Sequence, residues 1–214
     1  MPSLDPEAGI VMPVFENDGL EVLACMLDVR RDLIREFGSC LTEDERRRAG
    51  SLARERDRHR FIVTRGQLRH SLGSRLGIPP SDVELEYGPQ GKPRLSRRMP
   101  MRELHFGVSR SGDLAVIAFS HKSEIGVDIE EVRPIAEADD IAALCFSVSD
   151  YKSYRTLPPE EQPEGFLRRW TRLEAISKAF GCGLGGATPS DAQDWELHTF
   201  VPKAGYIGTL VAQN

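Results

Sequence analysis

Asp128 and Glu130 stand two residues apart in the segment GVDIEEV, and that spacing sets what they can do. In an extended strand, alternate residues project from one face, so the two carboxylates share a side while Val127 and Ile129 take the other. Two carboxylates on one face repel and call for water or a cation. Hard oxygen ligands at this spacing suit Mg²⁺, which takes one or two carboxylates together with substrate phosphates; the plainer alternative is a solvated acidic strand face. In WTRLEAISKAFGCGL, Trp170, Glu174 and Lys178 recur at intervals of four and stack along one stripe of a helix. A Glu–Lys pair at that spacing is common on exposed helices, but Trp170 buries much area and draws the stripe toward a pocket or an interface. Three carboxylates and a lysine, brought together, are what Mg²⁺-assisted attack at a phosphate requires.

Two more stretches carry polar groups in suggestive places. FGVSRSGDL puts Ser109, Arg110 and Ser111 where a strand enters a turn, so that hydroxyls, backbone N–H groups and a guanidinium either converge on an anion or close an ordinary hairpin. In GKPRL, Gly91 and Pro93 fix a turn that carries Lys92 and Arg94. Ten arginines lie between Arg46 and Arg75 in a chain of formal net charge −5. An anionic ligand is one explanation, and a solvated helix whose arginines pair with Glu43, Glu45, Glu55 and Asp57 is the other.

Strands and helices must position these groups, and the sequence signals both. LEVLACMLDV, residues 20–29, reads as a buried strand. Thr42 and Glu45 form a T-x-x-E capping box opening a helical region that reaches Leu76, with Phe61, Val63, Leu68, Leu72 and Leu76 at three- and four-residue spacing. Gly50, Gly66 and Gly73 predict two helices there, and Pro79-Pro80 ends the region. Residues 103–132 read as three strands with turns at Ser111-Gly112-Asp113 and His121-Lys122-Ser123. Residues 135–154 look helical, Pro158, Pro159 and Pro163 mark a loop, and residues 165–180 form a helix ended by Gly181-Cys182-Gly183. Two short strands joined near residues 202–205 close the chain. The pattern predicts an α+β fold of two similar α/β halves, residues 1–124 and 125–214, with a ligand cleft between them.

Composition removes several function classes. With 214 residues, 40% hydrophobic and 29% charged, the chain can bury one generous core or two smaller ones. Its 14 Pro and 19 Gly are dispersed, and no apolar run nears the roughly 20 residues a membrane span needs, so collagen-like, low-complexity and membrane-spanning readings fail. The acidic start MPSLDPEAGIVMPVFENDG lacks the basic and apolar regions of a signal peptide, which predicts a cytoplasmic location. Cys25, Cys40, Cys145 and Cys182 lie far apart without C-x2-C spacing and read as buried thiols. Negative net charge and the lack of interleaved aromatics in the arginine cluster argue against nucleic-acid binding.

In this order, GKPRL, FGVSRSGDLAVIAFS, GVDIEEVRP, FSVSD and WTRLEAISKAFGCGL resemble the 4′-phosphopantetheinyl transferases, in particular the two-half, monomeric Sfp-type enzymes, over about residues 43–184. The strongest signatures are G-[IV]-D-[IV]-E and W-[ST]-x-K-E-A-x-x-K. The resemblance implies that family's fold, with its active-site cleft between the halves. It implies transfer of the 4′-phosphopantetheine group of coenzyme A to a serine of an apo acyl or peptidyl carrier protein, releasing adenosine 3′,5′-bisphosphate. Asp128, Glu130 and Glu174 would then be ligands of Mg²⁺, with Mn²⁺ as the alternative, and Glu174 also the general base. Lys178 would contact the coenzyme A phosphates and stabilise the departing nucleotide, while Arg60, Lys92 and Arg110, with Ser109 and Ser111, hold coenzyme A. An acidic carrier protein would dock on basic and apolar residues around the cleft.

Three residues depart from the family pattern. Leu173 stands where the family has Lys, Asp150 where it has Glu, and Arg110 where it has His; the last keeps a cation and offers a better phosphate fork. Two rival readings remain open on sequence alone. One is another Mg²⁺-dependent phosphotransferase using the same carboxylates. The other, motivated by Leu173, is a homologue that binds coenzyme A or carrier protein without catalysis.

Overall fold

All seven residues of LAVIAFS are buried, which requires a neighbour on each edge and cover on each face. The computed structural model, which describes residues 11–101, 103–183 and 194–214, meets that requirement. The chain runs β1 (Met12–Asn17), β2 (Leu20–Met26), α1 (Arg31–Ser39), α2 (Glu43–Gly50), α3 (Glu55–Leu76), β3 (Leu85–Tyr87), β4 (Pro93–Leu95), β5 (His105–Ser111), β6 (Leu114–Ser120) and β7 (Ile125–Glu131). It continues through α4 (Ala138–Cys145), α5 (Val148–Arg155), α6 (Gln162–Phe180), β8 (Trp195–Phe200) and β9 (Tyr206–Gln213). One antiparallel sheet has the order β1-β2-β6-β5, a second has β7-β9-β8, and β3 and β4 form a separate hairpin. This is the α+β class expected, with a long helix and an antiparallel sheet in each half.

The inner faces of the two larger sheets share a core, where Val22, Ala24, Val116 and Ala118 meet Ile125, Val127, Ile129 and Leu210. Helices cover the outer faces. Leu68 and Leu72 of α3 pack on Leu23, Phe106, Ile117 and Phe119, while Ala175 and Ile176 of α6 pack on Val211. At one margin of the sandwich, Phe15 of β1 lies 5.1 Å from His198 and 6.1 Å from Phe200 of β8. At the other margin β5 runs beside β7, which belongs to the other sheet, and two serines join them. Ser109 Oγ accepts from the Ile129 amide at 3.3 Å, and Ser111 Oγ from the Glu131 amide at 3.1 Å.

Several boundaries differ from the sequence expectation for identifiable reasons. The two helices expected before Leu76 are present and part at residues 51–54, directly after Gly50, the first of the three glycines. Gly66 and Gly73 lie inside α3, where a Cβ would stand 2.8 Å from Phe37 Cγ or from the Ile78 carbonyl oxygen; close packing, not a bend, requires them. Residues 135–154 form two helices, because Ser147 Oγ accepts from the Asp150 amide at 3.1 Å and starts α5 afresh. Helix α6 begins at Gln162, with Pro163 in its first turn, where a missing N–H leaves no hydrogen bond broken. Of the four cysteines read as buried, Cys25 and Cys40 are, while Cys145 is exposed and Cys182 half-buried. The first ten residues of the acidic start MPSLDPEAGIVMPVFENDG, and Leu184 at the edge of the resemblance, lie outside the described residues. Among the described residues no helix is long and apolar enough to cross a membrane.

The capping box forms as expected, with Glu45 Oε2 accepting from the Thr42 amide at 2.9 Å, and Glu45 also meets a buried cation. Arg69, 1% exposed, donates to Glu45 Oε2 at 2.7 Å and to the carbonyls of Pro80 and Val83 at 3.1 and 3.0 Å. This group ties α2 and α3 to the segment before β3. Removing one member strands the other's buried charge, so Arg69→Met is expected to destabilise the fold by about 3–5 kcal/mol. The measurement is thermal unfolding, and a melting temperature lowered by less than about 2 °C would contradict this role.

Candidate active site

Strand β7 and helix α6 carry the acids to one cavity. A space of about 450 Å³ is lined by Asp128 and Glu130 of β7, by Trp170, Glu174 and Lys178 of α6, and by Arg48, Arg65 and Arg110 among others. The two-residue and four-residue spacings noted in the sequence therefore converge, and Trp170 shows why the stripe turns inward: it stacks on Phe166 at 6.0 Å with 12° between the rings. Gly181, at φ +65, ends α6 one turn beyond Lys178.

Asp128 is 3% exposed. Its Oδ1 accepts from Ser109 Oγ at 2.8 Å and from Lys178 Nζ at 2.5 Å, and Lys178 also donates to Ser109 Oγ at 3.0 Å. Its Oδ2 is buried without a hydrogen-bond partner. Glu130 Oε2 accepts from Ser111 Oγ at 2.5 Å. Burial pushes the carboxyls of Asp128, Glu130 and Glu174 above their usual range; Lys178 opposes this at all three, and the neighbouring carboxylates reinforce it at Glu130 and Glu174. The cavity thus holds more buried negative charge on its acidic side than Lys178 balances.

The other residues expected to hold coenzyme A are placed differently. Arg110 lines the cavity, and burial, reinforced by Arg48, Arg60 and Arg65 nearby, lowers the pKa of its guanidinium. Arg60 does not line it; its Nε and Nη2 each donate to Asp28 at 2.8 Å, and this hydrogen bonding holds the Asp28 carboxyl well below the usual range. Lys92 lines a neighbouring cavity of about 270 Å³ that shares Glu174 and Lys178 with the first. Its ammonium donates to Glu124 Oε2 at 2.7 Å and to the carbonyls of Ala179 and Ile125 at 2.8 and 3.1 Å, tying its turn to β7 and α6. The hydroxyls of Ser109 and Ser111 point to carboxylates, not to an open anion site. Leu173 is half-buried and absent from the cavity lining.

Arg48 and Arg65 are cavity residues that sequence reasoning did not single out. Both guanidiniums stand 5.8 Å from the Phe61 ring, a platform in the middle of the arginine cluster. Phe61 read in the sequence as a core residue and is buried, and its position four before Arg65 was a usable signal for its second role on the cavity wall. Of the acidic partners expected for the cluster, Glu45 pairs with Arg65 and Arg69, while Asp28 pairs with Arg56 and Arg60, Asp44 with Arg47 and Glu21 with Arg75 outside the expected set.

Among the described residues no group of three His, Cys, Asp or Glu side chains is arranged to hold a metal ion. The donor set on the cavity wall nevertheless suits a hard dication, because it offers three carboxylates, one of them with a buried oxygen lacking any partner.

Two family models and several known proteins match the chain. A family model described as the 4′-phosphopantetheinyl transferase superfamily matches residues 124–213, and a model of the N-terminal part of 4′-phosphopantetheinyl transferase matches residues 30–122. The 4′-phosphopantetheinyl transferase HetI of Nostoc sp. is 32% identical over 199 residues, covering 87% of this chain and 84% of that protein. The 4′-phosphopantetheinyl transferase AcpT of Escherichia coli K12 is 38% identical over 124 residues, 58% of each chain. The 4′-phosphopantetheinyl transferase psf-1 of Bacillus pumilus is 33% identical over 128 residues, 60% of this chain and 52% of its own.

Proposed function

The chain belongs to the 4′-phosphopantetheinyl transferase superfamily, and on that premise we propose how its cavity performs the reaction. The enzyme transfers the 4′-phosphopantetheine group of coenzyme A to a serine of an apo carrier protein and releases adenosine 3′,5′-bisphosphate. One observation carries the assignment of residues: Asp128, Glu130, Glu174 and Lys178 share a single cavity with three arginines.

Attack by a serine hydroxyl on the pantetheine-side phosphorus of a pyrophosphate needs charge neutralisation, in-line placement and removal of the serine proton. Asp128, Glu130 and Glu174 would hold Mg²⁺, or Mn²⁺ in its place, which supplies charge neutralisation at the pyrophosphate. Glu174 accepts the serine proton as the serine O–P bond forms. The P–O bond to the nucleotide side breaks, and its electron pair leaves with adenosine 3′,5′-bisphosphate. Lys178 shifts from Asp128 to the departing phosphate, and Arg48, Arg65 and Arg110 grip the remaining phosphate oxygens. Ser109 and Ser111 orient the acids. Arg60 and Lys92 reach coenzyme A only by exchanging Asp28 and Glu124 for its phosphates.

We assign the halves to residues 1–124 and 125–214 and action as a monomer, since residues of both halves of one chain line the cavity. We assign a cytoplasmic location and an acidic carrier partner, docked on the basic and apolar rim, on the same reading. Nucleotide release measured with a carrier protein and with its serine-to-alanine variant tests the reaction, since the variant should yield none.

Arg110→Ala is expected to raise the coenzyme A KM by about tenfold, the loss of one charge-assisted hydrogen bond of about 1.4 kcal/mol, with a smaller effect on kcat. Steady-state kinetics with varied coenzyme A reads the split. A fall in kcat at unchanged KM would contradict a role in holding the phosphates.

A further inference from the structure

The turn joining β5 to β6 is fastened to the other half of the molecule, and the fastening reaches Glu130. Tyr206, 6% exposed at the start of β9, donates its hydroxyl to Asp113 Oδ1 at 2.6 Å and accepts from the Asp113 amide at 3.3 Å. Lys203 Nζ stands 3.3 Å from Asp113 Oδ2, and the Leu27 amide donates to the Asp113 carbonyl at 2.7 Å. The turn has no slack at Gly112, whose φ is +55. A Cβ there would lie 2.5 Å from the Tyr206 hydroxyl and 2.6 Å from Glu131 Oε2.

Ser111, at the other end of this turn, donates to Glu130 Oε2 at 2.5 Å and accepts from the Glu131 amide at 3.1 Å. Glu131 is in turn the cross-strand partner of Tyr206. The contacts close a ring that runs from Glu130 through Ser111, the turn, Asp113 and Tyr206 back to Glu131. Asp128 is gripped apart from this ring, by Ser109 and Lys178. Glu130 is only half-buried, and its hydrogen bond comes from Ser111, so its orientation follows the turn.

We propose that Tyr206 and Asp113 are positioning residues for the cation site: by locking the β5–β6 turn they set Ser111, and through it the carboxylate of Glu130. This inference rests on the reading of Asp128, Glu130 and Glu174 as metal ligands. A hydrogen bond that orients a ligating carboxylate is worth about 10–100-fold in metal affinity. Loss of the Tyr206 hydroxyl therefore acts on cation binding, with coenzyme A affinity held by residues elsewhere in the cavity.

The test is Mn²⁺ binding to the metal-free full-length chain, followed by the electron paramagnetic resonance signal of free Mn²⁺. Tyr206→Phe is expected to weaken binding by about tenfold. Asp113→Ala, which removes the acceptor of the Tyr206 hydroxyl, should do the same, and it carries the test if Tyr206→Phe fails to fold. Ser111→Ala should also weaken binding, and adding Tyr206→Phe to it should change affinity less than about twofold, because both act on one carboxylate. Unchanged Mn²⁺ affinity in Tyr206→Phe and Asp113→Ala, with or without a lowered melting temperature, would overturn the positioning role and leave the metal reading standing. Full additivity in the double variant would also overturn it. A wild-type chain that binds Mn²⁺ no better than Asp128→Asn would overturn the metal reading itself, and this inference with it.

Discussion

Asp128→Asn is expected to lower phosphopantetheine transfer on the order of a thousandfold while the fold persists. The carboxylate is buried, accepts from Ser109 and Lys178 through one oxygen, and leaves the other without a partner. An amide of the same shape can still accept from Ser109 but brings no charge to hold a cation. Losing that neutralisation removes several kcal/mol of transition-state stabilisation, and about 4 kcal/mol corresponds to a thousandfold. Burial already pushes this carboxyl above its usual range, so charge is disfavoured at the site and a neutral side chain is tolerated there. Single-turnover rates and a melting curve together check the claim. Transfer within about tenfold of wild type would remove Asp128 from the chemistry, and gross unfolding would make its role structural.

Gly126→Ala is expected to lower stability strongly and to disturb the site with it. A methyl built on Gly126 would overlap the Ala175 carbonyl oxygen and lie 2.5 Å from the Ala179 amide nitrogen and 2.9 Å from its Cα. These are backbone atoms of α6, so no rotamer change relieves the overlap, and the helix itself must move off β7. Overpacking of this kind costs about 3 kcal/mol or more. For a chain of this length that lowers the melting temperature by about 10 °C. The displaced segment carries Glu174 and Lys178, which flank the contact, so activity should fall below what the loss of folded protein explains. A melting temperature within about 2 °C of wild type would show that β7 and α6 are not held at this separation.

The acidic half of the site was legible in the sequence because its logic is local. Residues two apart on a strand share a face, residues four apart on a helix share a stripe, and Asp128, Glu130, Glu174 and Lys178 obey both rules. The basic half was not, because which arginine of a dense cluster faces the cavity depends on tertiary partners. Arg60, expected from the resemblance to hold coenzyme A, pairs here with Asp28, 32 residues away, while Arg48 and Arg65 reach the cavity beside Phe61. Lys92 likewise lies beside the site but is engaged by carbonyls from β7 and α6 that no short window could reveal. Ser109 and Ser111 were singled out as hydroxyls where a strand enters a turn, with an anion site or an ordinary hairpin as the alternatives, and their bonds to the acids of β7 depend on the register of two strands in different sheets. In the fold, β1 and α1 escaped notice because Pro13 and the charged run RRDLIREF mask short periodic segments. The strands from His105 to Glu131 were plain because apolar residues and turn formers alternate cleanly.

The most direct test of the central claim is intact-mass spectrometry of purified apo carrier proteins incubated with this enzyme, coenzyme A and Mg²⁺, beside a chelated control and the Asp128→Asn variant. The account predicts a gain of one phosphopantetheine on the carrier, abolished by the chelator and by the substitution. A gain that survives both would contradict the assignment of Asp128, Glu130 and Glu174. No gain on any carrier, with coenzyme A still bound, would contradict the transfer reaction itself.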